Sequence, residues 1–251
     1  MKGMKLGWPI IIVASVIPIV LWALAYPLET RFVGAAWQTT FRLVTTSIGQ
    51  MLGLAGMAMF ALNLALAARV RWMEDLFGGM NKVYIAHHIL GGLAFVLLLF
   101  HPLFLALKFL LSGGSGAIQF FFFSSDPAVN YGIIALGLMI LFLVLTFFVK
   151  LPYHIWKFTH KFLGAAFFFA SLHVLLIASD VTMVKALKYY MFTLVVIGFA
   201  AIIYRTILGT LVVPRREYVV ESVACVNDTI TEVRLKHKEG TQMRFQPGQF
   251  I

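Results

Sequence analysis

The sequence predicts an all-α membrane protein, a bundle of six transmembrane helices, followed by the first strands of a β-domain. Of its 251 residues, 61% are hydrophobic and only 12% are charged, and the mean hydropathy is +0.92. Soluble domains are about half apolar and about a quarter charged. Six apolar stretches are long enough to cross a hydrocarbon core of about 30 Å. After residue 216 the chain changes to a period-two alternation of apolar and polar residues, which is typical of strands.

The charge and cysteine content restrict the function further. The net charge is +10, but the basic residues cluster at the ends of apolar runs, where they set topology and contact lipid headgroups. We therefore expect the lipid bilayer, and no nucleic acid, as a partner. The single cysteine, Cys225, excludes an internal disulfide and a cysteine-based metal cluster. Histidines and aromatic residues must carry any cofactor chemistry.

The first helix is expected at about residues 8–26, after two lysines. A cleaved signal peptide is the alternative. This run has 19 residues without a charge and no small-residue cleavage site after it, which favours an uncleaved membrane helix.

The other five helices follow from the remaining apolar runs. They are expected at about residues 44–68, 83–111, 131–149, 154–177 and 189–213. Gly49, Gly53 and Gly56 are small residues that allow close helix packing in the second. The phenylalanine run at 120–123 is too short to span and is expected at the membrane surface.

The distribution of lysine and arginine predicts the orientation. With the N-terminus inside, eleven of these residues fall in inner segments and five in outer segments. The positive-inside rule therefore places both termini in the cytoplasm, in a plasma or inner membrane. The third and fifth helices then run in the same direction, from inside to outside.

Two pairs of histidines lie on these two parallel helices. His101 follows His87 by 14 residues, and His173 follows His160 by 13. Along an α-helix these spacings correspond to rises of about 21 Å and about 20 Å, which is most of the thickness of the hydrocarbon core. Imidazole is an apt axial ligand for haem iron, so the sequence predicts two haems, one near each membrane face. The expected pairs are His87 with His160 and His101 with His173, because the ligands of one iron lie only about 4 Å apart.

Helical phase selects among neighbouring histidines. A spacing of 14 residues places His101 within about 40° of His87 around the helix axis. His88 and His101, which are 13 residues apart, differ by about 140°. His88 is expected at a haem edge or at the headgroups. His160 and His173 also differ by about 140°, so either the fifth helix is distorted or the two haems are held at different azimuths.

Several other residues have two interpretations. Gly91, Gly92 and Gly164 give room either for a flat macrocycle or for ordinary helix packing. His154, at the start of the fifth helix, is expected to contact a headgroup or a haem propionate rather than iron. Arg42 is expected to snorkel to the surface rather than to serve a haem or an acceptor.

The tail after residue 216 indicates two or three strands, with turns at Asn227-Asp228 and Glu239-Gly240. It is too short to fold alone, since about 40 residues is the usual lower limit. We expect the start of a β-barrel in a fragment of a longer protein. The predicted domains are residues 1–213 and 214–251.

These motifs resemble the ferric reductase-like transmembrane family, which includes ferric reductases and NADPH oxidases. The matching positions in the third and fifth helices are Gly79, Lys82, Tyr84, His87, His101, Pro102, Trp156, His160, Lys161 and Gly164. Asn81 replaces the usual Asp, and His88 the usual Arg or Lys. The tail residues Pro247, Gly248, Gln249 and Phe250 resemble the start of the FAD-binding barrel of ferredoxin-reductase-type enzymes.

The resemblance implies an NAD(P)H-dependent oxidoreductase of the ferric reductase or NADPH oxidase type. In such enzymes NAD(P)H reduces FAD in a cytosolic domain, and electrons pass through the inner and outer haem b to an extracytoplasmic acceptor. The remaining flavin contacts and the nicotinamide site would lie beyond Ile251. Ferric chelate, another metal chelate and oxygen all stay open as acceptors. Leu97 stands where animal oxidases often carry another histidine, which weighs against superoxide production, although Arg42 could supply positive charge.

Two alternatives belong to other classes of protein. One is a haem-binding relay subunit fed by quinol or by a separate flavoprotein, against which the β-rich tail argues. The other is a transporter or structural bundle that uses histidines for protons or metals. The third and fifth helices contain no acidic residue to partner them, which disfavours it. The oligomeric state is not predicted.

Overall fold

The structure is a computed structural model that describes residues 6–27, 34–112, 114–208 and 217–238. In chain order its α-helices are α1 Gly7–Ala25, α2 Trp37–Ala67, α3 Arg71–Phe77, α4 Met80–Leu107, α5 Ser115–Gln119, α6 Pro127–Phe147, α7 Tyr153–Lys161, α8 Leu163–Leu176, α9 Asp180–Met183 and α10 Lys185–Ile203. A 3₁₀ turn at Leu110–Ser112 and a π-helical turn at Tyr204–Leu208 complete the described helical part. The strands are β1 Tyr218–Asn227 and β2 Ile230–His237.

The described residues contain six helical spans that are long and apolar enough to cross a membrane. They are α1, α2, α4, α6, α7 with α8, and α10 with the π-helical turn that follows it. Together with the two antiparallel strands, they confirm the predicted fold class. The chain divides into two compact units, Met1–Ile202 and Ile203–Ile251.

Helix starts depart most from the predictions where the first turn is polar. α2 begins at Trp37, seven residues before the predicted start, because the turn WQTTFR is helical although it is not apolar. α6 begins at Pro127, four residues early. The Asp126 side chain accepts a hydrogen bond from Ala128 N at 2.8 Å, and proline occupies the first helical position. Both features favour a helix start, and a hydropathy window does not register them.

The fifth membrane span is not one regular helix. α7 ends at Lys161 and α8 begins at Leu163, with Phe162 between them. Phe162 N donates to Thr159 O at 3.0 Å, and Ala165 N donates to Phe162 O at 2.9 Å. These three-residue hydrogen bonds tighten the turn relative to an α-helix. The fifth span is therefore distorted at this turn, in line with the first of the two alternatives for the phase of His160 and His173. The second alternative, different azimuths for the two haems, stays a prediction.

The core lies between α2, α8 and α10, with α1 packed against α2. Trp22 and Phe167 are fully buried, and the ring of Phe60 meets that of Phe167 edge to face, with 5.3 Å between the ring centroids. A Cβ on Gly198 would lie 2.4 Å from Phe167 Cζ, so α10 approaches α8 closely at this point. α2 also packs along α4, and α6 along α8. These two helix pairs position the site.

The segment after α4 carries exposed aromatic side chains. α4 ends at Leu107, four residues before the predicted end. The Lys108 ammonium lies 5.0 Å from the ring centroid of Phe109, and burial lowers the pKa of this ammonium. Phe122 and Phe123 are exposed.

The second unit contains an antiparallel hairpin in which Tyr218 pairs with His237 and Val223 with Val233. Asn227 Oδ1 accepts hydrogen bonds from the backbone nitrogens of Thr229, at 2.9 Å, and Ile230, at 2.8 Å. This side chain closes the turn between the strands, as the Asn-Asp signal predicted.

Candidate metal centre

Four histidines of the membrane spans form two pairs in the structure. The ring centroids of His87 and His160 are 6.2 Å apart, with an angle of 72° between the ring planes. Those of His101 and His173 are 6.4 Å apart, at 67°. Each pair joins α4 to the fifth span, His160 in α7 and His173 in α8. We call them the 87/160 pair and the 101/173 pair.

The separation within each pair fits a single metal ion between two imidazoles. Metal–nitrogen bonds to histidine are about 2 Å long. Two such bonds in line, with half a ring on either side, place the ring centroids about 6 Å apart. The observed 6.2 and 6.4 Å match this geometry.

The Nδ1 atom of each ring has a hydrogen-bond partner on a neighbouring helix. The partners are Asn63 O for His87 at 3.1 Å, Gly49 O for His101 at 2.7 Å, Ala128 O for His173 at 2.8 Å and Thr146 Oγ1 for His160 at 3.3 Å. A carbonyl oxygen can only accept a hydrogen bond, so in His87, His101 and His173 the Nδ1 atom carries the proton and Nε2 keeps its lone pair. In metal-binding histidines, a hydrogen bond from the nitrogen that does not bind the metal orients the ring and fixes its tautomer.

Two glycines make space for the 101/173 pair. A Cβ on Gly53 would lie 2.6 Å from His101 Nδ1, and a Cβ on Gly132 would lie 2.8 Å from His173 Nδ1. Real Cβ atoms essentially never come so close to another atom. Gly53 was expected to serve close helix packing. The structure gives it a narrower role, because the atoms it admits belong to the candidate ligand ring.

The three glycines with two interpretations, room for a macrocycle or helix packing, differ in their surroundings. A Cβ on Gly91 would lie 2.8 Å from the side-chain nitrogen of Asn63, which is a contact between packed helices. A Cβ on Gly164 would meet Ile202 at 3.6 Å, an ordinary van der Waals distance. A Cβ on Gly92 would have no neighbour within 4 Å.

An aromatic column flanks the 87/160 pair. The Trp156 ring stacks on His160 with a centroid distance of 5.3 Å and an angle of 18°, and Tyr153 stacks on Trp156 at 5.8 Å. These residues lie three and four positions apart, so they occupy one face of α7. The column limits rotation of the His160 ring, and the sequence analysis did not predict it.

The other candidate residues belong to neither pair or lie outside the described chain. His88 and His154 are exposed, and the His237 ring lies 5.0 Å from Tyr218 in the hairpin. Leu97 faces the position of a Cβ on Gly56 at 3.3 Å, in the contact between α4 and α2. The flavin-proximal candidates Pro247, Gly248, Gln249 and Phe250 lie outside the described residues.

Buried apolar residues separate the two pairs. Phe167 lies between His160 and His173 in the fifth span and is fully buried. Ala94 lies midway between His87 and His101 in α4 and is 3% exposed. Water is therefore excluded from the middle of the bundle at these positions.

Among the described residues, no group of three or more histidine, cysteine, aspartate or glutamate side chains could hold a bare metal ion. Haem iron makes a smaller demand on the protein, since the macrocycle supplies four nitrogens and only the axial positions remain. Two facing imidazoles supply both. The donor set therefore fits haem better than a bare ion.

The described residues thus form a six-span bundle that brings two imidazole pairs together. Residues 52–172 match the family described as ferric reductase like transmembrane component. The match includes His87, His101 and His160 and ends one residue before His173. Over these residues the match agrees with the resemblance predicted from the sequence, and it indicates an oxidoreductase that transfers electrons across a membrane. No curated protein matched the chain.

Proposed function

We propose that this protein carries electrons across a membrane through two b-type haems, one held by each histidine pair. The observation that carries the proposal is the arrangement of the four rings. Each pair has the separation that one iron requires, and each Nδ1 is engaged by a second hydrogen bond. When bound, each haem would supply a one-electron carrier.

The protein's own residues hold the two sites at fixed levels. His101 follows His87 by 14 positions in continuous helix α4, which corresponds to a rise of about 21 Å. Phe167 and Phe60 are buried and pack edge to face in the apolar core of the bundle, which favours transfer within a dry protein interior. Helix α4 is thus the spacer between the two sites.

We assign the direction of transfer from the topology signals and the family. With both termini cytoplasmic, the 87/160 pair is the inner site and the 101/173 pair the outer site. Electrons would arrive at the inner pair from NAD(P)H through FAD. The domain that binds FAD would include residues 214–251 as its first part. They would leave from the outer pair to a ferric or other metal chelate, or to oxygen. The enzyme is then an NAD(P)H-dependent reductase of the ferric reductase or NADPH oxidase type in a cell membrane.

Single histidine variants of the full chain test the proposal. Wild-type protein, expressed with haem supply and purified in detergent, should show b-type bands and about two haems per chain. His101→Ala and His173→Ala should each lose the same haem, and His87→Ala and His160→Ala the other. His237→Ala is a control, since it changes a histidine of the hairpin, outside the membrane spans, and should keep both haems. A colourless wild type would refute the proposal, and loss of the same haem in His101→Ala and His160→Ala would refute the pairing.

A further inference from the structure

We propose that Thr146 is a positioning residue for His160, and that its hydroxyl tunes the reduction potential of the haem at the 87/160 pair. The inference rests on the proposed function, because it concerns the strength of an iron ligand. It begins from one feature of the site. The hydrogen-bond partner of Nδ1 is a backbone carbonyl for His87, His101 and His173, but a side-chain hydroxyl for His160.

The direction of the hydrogen bond follows from the two contacts of the hydroxyl. Thr146 Oγ1 lies 2.7 Å from Phe142 O, one turn earlier in α6, and 3.3 Å from His160 Nδ1. A hydroxyl has a single proton, and the carbonyl of Phe142 can only accept it. The oxygen therefore presents a lone pair to His160, and Nδ1 must be the donor. The His160 tautomer that results keeps Nε2 free for iron.

The acceptor at Nδ1 controls how strongly the ring donates to a metal. An acceptor draws the Nδ1 proton away from the ring and makes the ligand more basic. Axial-ligand strength and hydrogen bonding around it are two of the protein's means of setting a haem potential. Thr146→Val preserves the side-chain shape and removes the acceptor. The His160 ring should then donate less to ferric iron, and the reduction potential of that haem should rise.

Helical threonines often bond the carbonyl four residues earlier, so the bond to Phe142 alone carries no function. Thr45 makes such a bond to Phe41 O at 3.0 Å, and Thr193 one to Tyr189 O at 2.9 Å. Thr146 differs from these two threonines because, in the described contacts, its hydroxyl also meets His160 Nδ1. Thr45 and Thr193 therefore provide matched controls, one buried and one exposed.

The test compares Thr146→Val, Thr146→Ser, Thr45→Val and Thr193→Val in full-chain, haem-loaded protein. The midpoint potential of each haem is measured by spectroelectrochemical titration, and the ferric low-spin signals by electron paramagnetic resonance. Thr146→Val should raise the midpoint potential of one haem, the one that is absent from His160→Ala. The expected change in its reduction equilibrium is at least about threefold, which is about 28 mV at about 59 mV per tenfold. The signal of that haem should shift as well. Thr146→Ser should restore wild-type values, and both control variants should leave both haems unchanged.

The outcomes separate this inference from the proposed function. A wild type without haem overturns both. A wild type with two haems in which Thr146→Val shifts neither potential, or shifts both equally, overturns the role of Thr146 alone. If Thr146→Val loses the haem, recovery of haem and potential in Thr146→Ser supports positioning by the hydroxyl, and failure to recover them overturns it.

Discussion

The contact between Gly53 and His101 offers the sharpest test of how the 101/173 pair is held. Gly53 lies in α2 opposite the His101 ring of α4, and a Cβ there would lie 2.6 Å from Nδ1 and 2.7 Å from Cε1. The same ring donates to Gly49 O at 2.7 Å, one turn earlier in α2. We expect Gly53→Ala to displace the ring and to weaken haem binding at this level only.

The size of the effect follows from the distances. The added methyl group falls about 0.8 Å short of 3.4 Å, where ordinary van der Waals contact begins. The obstructing atoms belong to a ring held by a hydrogen bond, so we expect the overpacking to displace the ring and to break that bond as well. Overpacking costs about 1–3 kcal/mol and a lost hydrogen bond about 1 kcal/mol. Together they amount to about 2–4 kcal/mol, or roughly 30- to 700-fold in affinity for the haem at this site.

A glycine in another part of the bundle provides a control for this variant. A Cβ on Gly137, in α6, would have no neighbour within 4 Å, and this residue is exposed. Alanine should stabilise the helix at this position by about 0.5–1 kcal/mol and leave the haems in place. The measurement is the number of haems per chain during titration with haem, together with the spectrum of the haem that remains. If Gly53→Ala binds both haems with wild-type affinity, or if Gly137→Ala loses haem equally, the argument from ring displacement fails.

Two further predictions follow from close contacts of the described residues. Gly132→Ala should weaken the same haem as Gly53→Ala, because its Cβ would lie 2.8 Å from His173 Nδ1; loss of the other haem in the same titration would contradict this. The Trp22 indole nitrogen donates to Asp180 Oδ2 at 2.6 Å, so Asp180→Leu should lower the free energy of unfolding by about 1–3 kcal/mol while both haems remain. Asp180→Asn keeps an acceptor and should cost less in thermal unfolding; equal melting of both variants would exclude a role for the bond.

The sequence predicted the positions of the four histidines because helical rise depends only on residue spacing. A 14-residue spacing on an uninterrupted helix places two side chains about 21 Å apart on nearly one face, whatever the neighbours. The relation of His160 to His173 was left open for the same reason, since a 13-residue spacing fails the phase test on a regular helix. The failed phase test was compatible with a distorted helix, and the structure has a turn at Phe162 between the two residues.

Other parts of the site could not be predicted, because they depend on which helices are neighbours. Gly132 and Thr146 lie near the two ends of the largely apolar helix α6. Nothing in that helix indicates that Gly132 faces His173 or that Thr146 faces His160. Their roles come from the packing of α6 along α8 and of α6 against α7. The early start of α6 was predictable in principle from Asp126 and Pro127, which a hydropathy window does not weigh.

The two levels of the bundle are built by different means, and this difference makes them separable by mutation. At the 101/173 pair, glycines bring backbone against both rings, and two carbonyls at 2.7 and 2.8 Å fix them. At the 87/160 pair, Trp156 stacks on one ring, and the acceptors, a carbonyl and a hydroxyl, lie farther away at 3.1 and 3.3 Å. A change in the packing of α2 against α4 near Gly53 therefore acts on the first level, and a change in α6 at Thr146 acts on the second. Because continuous helix α4 separates the levels by 14 residues, each perturbation should remain at its own pair.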